Sequence, residues 1–277
     1  MVIHGRRLAA TGGMVLGDIR FRDARERCRW SPELPETDDG LCLVRSGWFR
    51  REESGCREFL DATRGYFAKA GTVERVFGRR CGFTWIRLSP AAFDACVEGA
   101  QRKHWLLNVC SGLDLQHRLL LAAVRDRTDS FELAERLLSL LEALPARTER
   151  PGPTSWPSTR MAHHALAAAA QEALNCNPSC GLERLGELVG TSPHHLSRVF
   201  KKVTGQTLTA YRNELRVRSV LEHLAEGMTD LAELAVLHGF VDQAHMTNVI
   251  RRHLADTPAR LRRKLSTNLQ ERRPPRG

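Results

Sequence analysis

The feature that most constrains this chain is a helix, turn, helix pattern that occurs twice within residues 182–262. In the first copy, apolar residues at helical spacing lead to Gly190, and Ser192 with the proline after it begins a second helix. Serine caps helix N-termini, and proline is favoured at the first helical position. The second copy repeats this order, with Gly239 at the turn and Asp242 as the N-cap. Each copy predicts two short helices that pack through apolar stripes.

The outer face of the second helix in each copy is polar, small or cationic, which suits a helix that enters the major groove of DNA. Between the copies, residues 209–226 show a continuous helical pattern about 27 Å long at 1.5 Å per residue. One turn of duplex is about 34 Å, so we expect the two helices to reach successive major grooves. The expected DNA contacts are His194, His195, Ser197, Arg198, Lys201 and Lys202 in the first copy, and Gln243, Ala244, His245, Thr247, Asn248, Arg251 and Arg252 in the second.

A single match of this kind is often only a pair of packed helices. Two copies on one chain, joined by a helix of suitable length and followed by a basic end, favour DNA binding instead. We expect base reading by His194, Ser197 and Arg198 in the first copy. Weaker or altered reading is expected from Ala244, His245 and Asn248 in the second. The helix N-termini are expected to contact phosphates together with four basic side chains, Lys201, Lys202, Arg251 and Arg252.

This arrangement resembles the C-terminal domain of the AraC/XylS family of bacterial transcription regulators. The resemblance covers roughly residues 165–264 and is carried by LSRVFKKVTGQTLTAYRNELRVRSVLEHLAEG and by HGF followed by TPARLR. It implies double-stranded DNA as a partner, transcription activation through RNA polymerase, and a homodimer.

The second copy departs from the family pattern at four positions. Met246 and Ile250 replace family aromatic or leucine residues, changes that preserve core volume, and Ala255 stands near a usual glycine. Asn248 replaces an arginine, so a donor fork suited to guanine gives way to an amide suited to adenine.

Length and charge agree with two domains and a polyanionic partner. The chain has 277 residues and a formal charge of +10, and single domains typically run about 100 to 200 residues. We predict a sensing and dimerisation domain at 1–144, a proline-rich linker at 145–160, a DNA-binding domain at 161–264 and a basic disordered tail at 265–277. No apolar run approaches the roughly 20 residues that cross a bilayer, and the first residues show no apolar h-region ahead of a small-residue cleavage site. A cytoplasmic protein without a membrane partner is therefore expected.

Residues 1–90 read as short strands with turn signals, which favours a small barrel or sandwich. Residues 41–44 and 48–50 are predicted as two strands with a tight turn at Ser46 and Gly47. This segment resembles, more loosely, the cupin-type barrel of AraC-like regulators, through LVRSGWF and RGYFAKAGTVERVFG. Its single early histidine, His4, excludes a multi-histidine metal site, so we expect no metal, no cofactor and no catalytic residue. Candidate walls for an unknown small-molecule effector are Trp48, Phe67, Phe83 and Trp85, although strand aromatics more often fill a core.

Helical spacing follows in residues 91–97, 104–110 and 113–144. The leucine-rich part either covers the barrel or meets a second copy of the chain, and the resemblance favours the second reading. The predicted fold class is therefore α+β: an N-terminal barrel with trailing dimerisation helices, then an all-α domain of two helix-turn-helix units joined by a long helix.

The sequence thus predicts a DNA-binding transcription regulator controlled by an N-terminal sensing domain. Two alternatives stay open. Eight dispersed cysteines, with Cys176 and Cys180 nearest each other, allow a thiol- or metal-responsive regulator. An enzyme built on the barrel is the other alternative, and no nucleophile elbow, phosphate loop or metal cluster supports it.

Overall fold

Two long antiparallel strands that pair with each other form the spine of the N-terminal half in the computed structural model, which describes residues 2–11, 14–22, 30–96, 105–144 and 158–266. The strands are β1 (Val2–Thr11), β2 (Met14–Arg22), β3 (Leu34–Pro35), β4 (Gly40–Glu53), β5 (Cys56–Asp61), β6 (Arg64–Ala68), β7 (Val73–Arg87) and β8 (Trp105–Asn108). The spine consists of β4 and β7.

Within one antiparallel sheet, β4 and β7 are long enough to pair with different strands at their two ends. Towards one end the order is β1-β2-β7-β4-β6-β8, and towards the other end β3 pairs with β7 while β5 pairs with β4. Residues from both ends meet in one buried cluster, which includes Val44 and Tyr66 from the first end and Phe49, Leu60 and Val76 from the second. The two ends therefore fold over a shared interior, as a barrel does.

The outer face of the sheet is covered by three helices: α1 (Pro90–Cys96), α2 (Ser111–Arg125) and α3 (Ser130–Glu142). Alternate residues of β4 separate the two faces, since Leu41 and Leu43 pack towards the helices while Cys42 and Val44 face the interior. The helix stripes supply Leu113, Leu120, Leu121, Leu137 and Leu140 to the outer core.

Two local predictions for this half are wrong. Ser46 and Gly47 do not form a hairpin turn, because β4 continues through them with register shifts at 44/46 and 47/49, and Gly47 adopts a positive φ of 71° there. Glycine supplies the conformation that such a bulge needs. The helix predicted over 104–110 is not formed by the described residues 105–110, since Trp105–Asn108 is a strand whose pairing with β6 buries Leu106 and Leu107.

The C-terminal half is entirely helical among the described residues 158–266. Its helices are α4 (Ser158–Cys176), α5 (Leu182–Leu188), α6 (Pro193–Thr204), α7 (Leu208–Ala225), α8 (Leu231–Leu237), α9 (Gln243–Leu254) and α10 (Pro258–Leu265). The α+β class and the order of sheet before helices are confirmed. Most of the predicted linker and of the predicted tail lies outside the described residues; the last three residues of the predicted linker already belong to α4.

Candidate nucleic-acid interface

The first helix-turn-helix unit comprises α5 and α6. Gly190 makes the turn with a φ of 71°, and the Ser192 hydroxyl accepts a hydrogen bond from the His195 backbone N–H at 3.3 Å. Leu196 and Phe200 of the apolar stripe are buried in a core with α4 and α7, and Val199 of the same stripe is also buried. The opposite face of α6 is thereby left to solvent.

Gly186, which was not among the residues singled out from the sequence, allows α5 and the turn of this unit to pack closely. A Cβ on Gly186, inside α5, would lie 2.7 Å from the Thr191 carbonyl oxygen. The turn therefore approaches α5 more closely than a side chain permits. A glycine in the middle of a short helix was the available signal.

The second unit comprises α8 and α9 and repeats the design. Gly239 turns with a φ of 70°, and the Asp242 carboxylate accepts from the His245 backbone N–H at 2.7 Å. Met246, Val249 and Ile250 are buried, so the two core departures from the family pattern still fill the core.

The helix α7 joins the units over its 18 residues, about 27 Å at 1.5 Å per residue. Tyr211, Leu215, Val217, Leu221 and Leu224 are all buried along it. Because α7 contributes to the cores of both units, it fixes the distance between them.

The predicted DNA-contacting residues all lie outside the two cores. His194, Arg198, Lys201 and Lys202 of α6 are exposed, and His195 and Ser197 are half-buried. On α9, Gln243, Ala244, Asn248, Arg251 and Arg252 are exposed, and His245 and Thr247 are half-buried.

Both half-buried histidines are oriented by hydrogen bonds. His195 Nδ1 lies 3.5 Å from Arg198 Nη2, and its ring lies 6.1 Å from that of His163 on α4. His245 Nδ1 accepts from the Val241 backbone N–H at 3.3 Å, and its ring meets Phe240 edge-on at 5.6 Å.

The N-terminal domain holds α7 at several points. Asp61 of β5 accepts hydrogen bonds from the Tyr211 hydroxyl and, at 2.9 Å, from Asn175 Nδ2. Further along, Arg118 of α2 pairs with both Asp114 and Glu222. The Asp61 contacts and the Arg118–Glu222 pair join residues that are more than a hundred positions apart in sequence, and only the tertiary structure brings them together.

The candidate effector residues lie in different surroundings. Phe67 packs against Phe93 beneath the outer helices, with ring centroids 5.8 Å apart. Phe83 and Trp85 pack against the interior cluster, whereas Trp48 stacks on Phe59 at 5.5 Å.

The barrel interior also holds a charge cluster that the sequence analysis missed. Arg51 is buried and pairs with Glu53 at 2.5 Å, Glu58 at 3.2 Å and Glu74, while its guanidinium lies 4.3 Å from the Tyr66 ring centroid. Alternating charges on a strand normally indicate a solvated face, so the sequence offered no signal of their burial.

Glu36 extends this cluster. Burial, followed by the charge of Glu74, raises the pKa of Glu36 to about 8. A carboxyl group among other carboxylates keeps its proton because ionisation would add a further negative charge to a poorly solvated site.

The cysteines present no assembled site in the described part of the chain, where no group of three or more His, Cys, Asp or Glu side chains could hold a metal ion. Burial raises the pKa of the Cys42 and Cys81 thiols, which disfavours the reactive thiolate. Cys110 and Cys176 are exposed, and Cys28 lies outside the described residues. No helix in the described ranges is long and apolar enough to cross a membrane.

A protein-family model matches the residues of the two helix-turn-helix units. The family model described as "Helix-turn-helix domain" matches residues 185–264. The probable transcription factor PqrA of Proteus vulgaris is 30% identical over 89 residues, which is 32% of this chain and 73% of PqrA. The bifunctional transcriptional activator/DNA repair enzyme AdaA of Bacillus subtilis is 30% identical over 81 residues, 29% of this chain and 38% of AdaA.

Among solved structures, ToxT from Vibrio cholerae O395 aligns over 91% of this chain and 98% of its own, at 10% identity and a TM-score of 0.37. The sequence matches coincide with the two helix-turn-helix units and the helix between them. PqrA is matched over most of its own length, and both helix-turn-helix units are formed in this chain. The chain therefore belongs to the AraC/XylS family of transcriptional regulators.

Proposed function

We propose that this protein regulates transcription by placing α6 and α9 in successive major grooves of one operator, under the control of its N-terminal domain. The observation that carries this proposal is the division of each helix into a buried apolar stripe and an exposed polar and cationic face. That division occurs twice, across a connecting helix whose length is close to one turn of duplex.

Residue roles follow from side-chain chemistry. Arg198 carries the planar fork that matches the guanine edge, and His194 and Ser197 lie on the same exposed face. Lys201 and Lys202 at the end of α6, and Arg251 and Arg252 at the end of α9, supply positive charge for phosphates.

Selection of bound fragments from random DNA, followed by salt-dependent binding assays, tests these roles. Arg198→Ala should cost about 1 to 3 kcal/mol on the selected site and relax one base position. Lys202→Ala should instead weaken all sequences alike and lower the salt slope by about 0.9. If Arg198→Ala changed neither affinity nor preference, the register proposed for α6 would be wrong.

We further propose that the signal is a small molecule and that it acts through the contacts of the N-terminal domain with α7. A cavity of about 670 Å³ beside the buried charge cluster has the size of a ligand site, and its lining includes Glu52, Glu53, Lys69, Thr72 and Arg75. Thermal-shift screening of polar metabolites against the protein and Thr72→Trp, which narrows this cavity, would locate the effector. A stabilising compound that acts equally on both proteins would bind elsewhere.

The protein is proposed to act in the cytoplasm as a homodimeric activator that contacts RNA polymerase, without catalytic activity of its own. The exposed face of α3 supports the dimer, since Phe131 and Leu138 stay 72% and 50% exposed while Leu137 and Leu140 are buried. Sedimentation of Phe131→Glu against the unaltered protein tests the dimer. In vitro transcription from a selected operator distinguishes activation from repression.

A further inference from the structure

We propose that the second helix-turn-helix unit reads thymine through its methyl group, with Val241 and Ala244 as the apolar contacts and His245 as the hydrogen-bond donor. This inference rests on the proposed function and names the kind of base pair that α9 selects. Val241 is not among the contacts expected from the sequence.

Val241 is an additional residue in the turn of the second unit, between α8 and α9. The Thr191 backbone N–H donates to Gly186 at 2.9 Å, and the Phe240 backbone N–H donates to Ala235 at 2.9 Å, so Thr191 and Phe240 hold equivalent places. In the first unit the N-cap follows at once, whereas in the second Val241 is inserted before it.

The side chain of Val241 is exposed to solvent next to the N-terminus of α9, which is the end proposed to face the major groove. Val241 is 83% exposed, although its neighbour Phe240 is only 4% exposed. Ala244, in the first turn of α9, is exposed as well. Recognition helices contact base edges with their N-terminal residues, so these two apolar side chains lie where a base would be.

The charges at the other end of α9 indicate which partner covers this apolar patch. Arg251 and Arg252 are exposed in the last turn of the same helix. A partner that is anionic along its edges and offers methyl groups between them matches duplex DNA, whose major groove displays the thymine C5 methyl.

The hydrogen bond at His245 determines what its ring can offer. Because Nδ1 accepts from the Val241 N–H, its lone pair is occupied and the neutral ring carries its proton on Nε2. His245 therefore presents a donor, which suits thymine O4 or a purine N7. Asn248, one turn along the exposed face, has the bidentate match to adenine.

The two units thus differ in chemistry. Arg198 offers a guanidinium fork in the first unit. The equivalent face of the second offers methyl groups, the imidazole donor of His245 and the amides of Gln243 and Asn248. The expected operator joins a half-site containing G·C pairs to a half-site of A·T pairs.

The test uses the full-length protein and a duplex selected from random DNA, with the first half-site identified by the position that Arg198→Ala relaxes. Each thymine of the other half-site is then replaced by deoxyuridine, which removes only the methyl group. Deoxyuridine should weaken binding about fourfold at one or two positions, which is the effect expected when one methyl group is no longer buried in the complex.

Val241→Ala should weaken binding by a similar factor and abolish the effect of deoxyuridine at one of those positions. Val236→Ala is the matched control, since Val236 is 74% exposed on α8 and is expected to leave binding unchanged. Three outcomes would each overturn the inference while leaving DNA binding intact. They are equal binding to every deoxyuridine duplex, the same preference of Val241→Ala for thymine over deoxyuridine as the unaltered protein shows, and a second half-site without thymine. Failure to select any duplex would overturn the proposed function with it.

Discussion

At the scale of single residues, α6 and α9 end in the same left-handed backbone conformation but with different residues. Gly205 ends α6 with a φ of 76°, and Ala255 ends α9 with a φ of 52°. Left-handed backbone costs a residue with a Cβ of order 1 kcal/mol, whereas glycine adopts it freely. The alanine at this cap is therefore strained.

Ala255→Gly should raise the free energy of unfolding by up to about 1 kcal/mol, because relief of strain exceeds the added entropy of the unfolded chain. Denaturant unfolding measures the change. Gly205→Ala at the equivalent cap should lower stability. The argument would be wrong if the two substitutions shifted stability in the same direction.

Glu36 makes stability depend on pH. Its pKa is about 8 in the folded protein, above the ordinary 4.5. The folded state therefore binds the proton more tightly between these values, and stability falls as pH rises from about 4.5 to about 8. Glu36→Gln, which keeps the shape without the charge, should remove this part of the pH dependence and stabilise the protein above pH 8.

The measurement is the unfolding midpoint of both proteins from pH 5 to 9. Glu33→Gln is the control, since Glu33 is exposed three residues earlier in the same segment. A pH profile unchanged by Glu36→Gln would show that other groups control the transition.

At the scale of elements, close packing outweighs helix propensity in the first reading unit. An alanine at Gly186 would gain about 1 kcal/mol of propensity, but its Cβ would lie 2.7 Å from the Thr191 backbone oxygen, which cannot move independently. A steric contact that short forces α5 and the turn apart.

Gly186→Ala should therefore destabilise the protein and weaken DNA binding, as measured by thermal unfolding and gel shift. Gly112→Ala in α2 is the matched control, because the nearest atom to its Cβ would be Cys110 Sγ at 4.0 Å. That substitution should stabilise by up to about 1 kcal/mol. Equal effects of the two changes would contradict the packing argument.

At the scale of the whole molecule, α7 connects the two helix-turn-helix units to each other and to the N-terminal domain. The Arg118 side chain, 2% exposed, pairs with Asp114 of its own helix and Glu222 of α7. Arg218 of α7 donates in return to the Val109 carbonyl. The N-terminal domain therefore contacts the one helix that contributes to the cores of both helix-turn-helix units.

Glu222→Gln should weaken this coupling, because the buried Arg118 loses one of its two carboxylates, at a cost of roughly 1 to 3 kcal/mol. Calorimetry should show unfolding that is less cooperative between the domains. Glu226→Gln, exposed at the end of the same helix, should leave the transition unchanged. Identical transitions for both variants would exclude the Arg118 contact as a link between domains.

The sequence by itself determined the C-terminal half in detail. Helix caps at Ser192 and Asp242, turns at Gly190 and Gly239, and the apolar stripes are set by neighbours within a few residues, so each is readable from the local pattern. The predicted exposure of Arg198 and Asn248 followed from the same periodicity.

Only the tertiary structure decided what depends on distant partners. Residues 104–110 have helical spacing, but Trp105–Asn108 pairs with β6 as a strand, since burial beside an existing strand outweighs local preference. The charges of Arg51 and its glutamates look like a solvated strand face until the barrel closes over them. Likewise, the contact of Asp61 with Tyr211 spans 150 residues, a pairing that local periodicity does not encode.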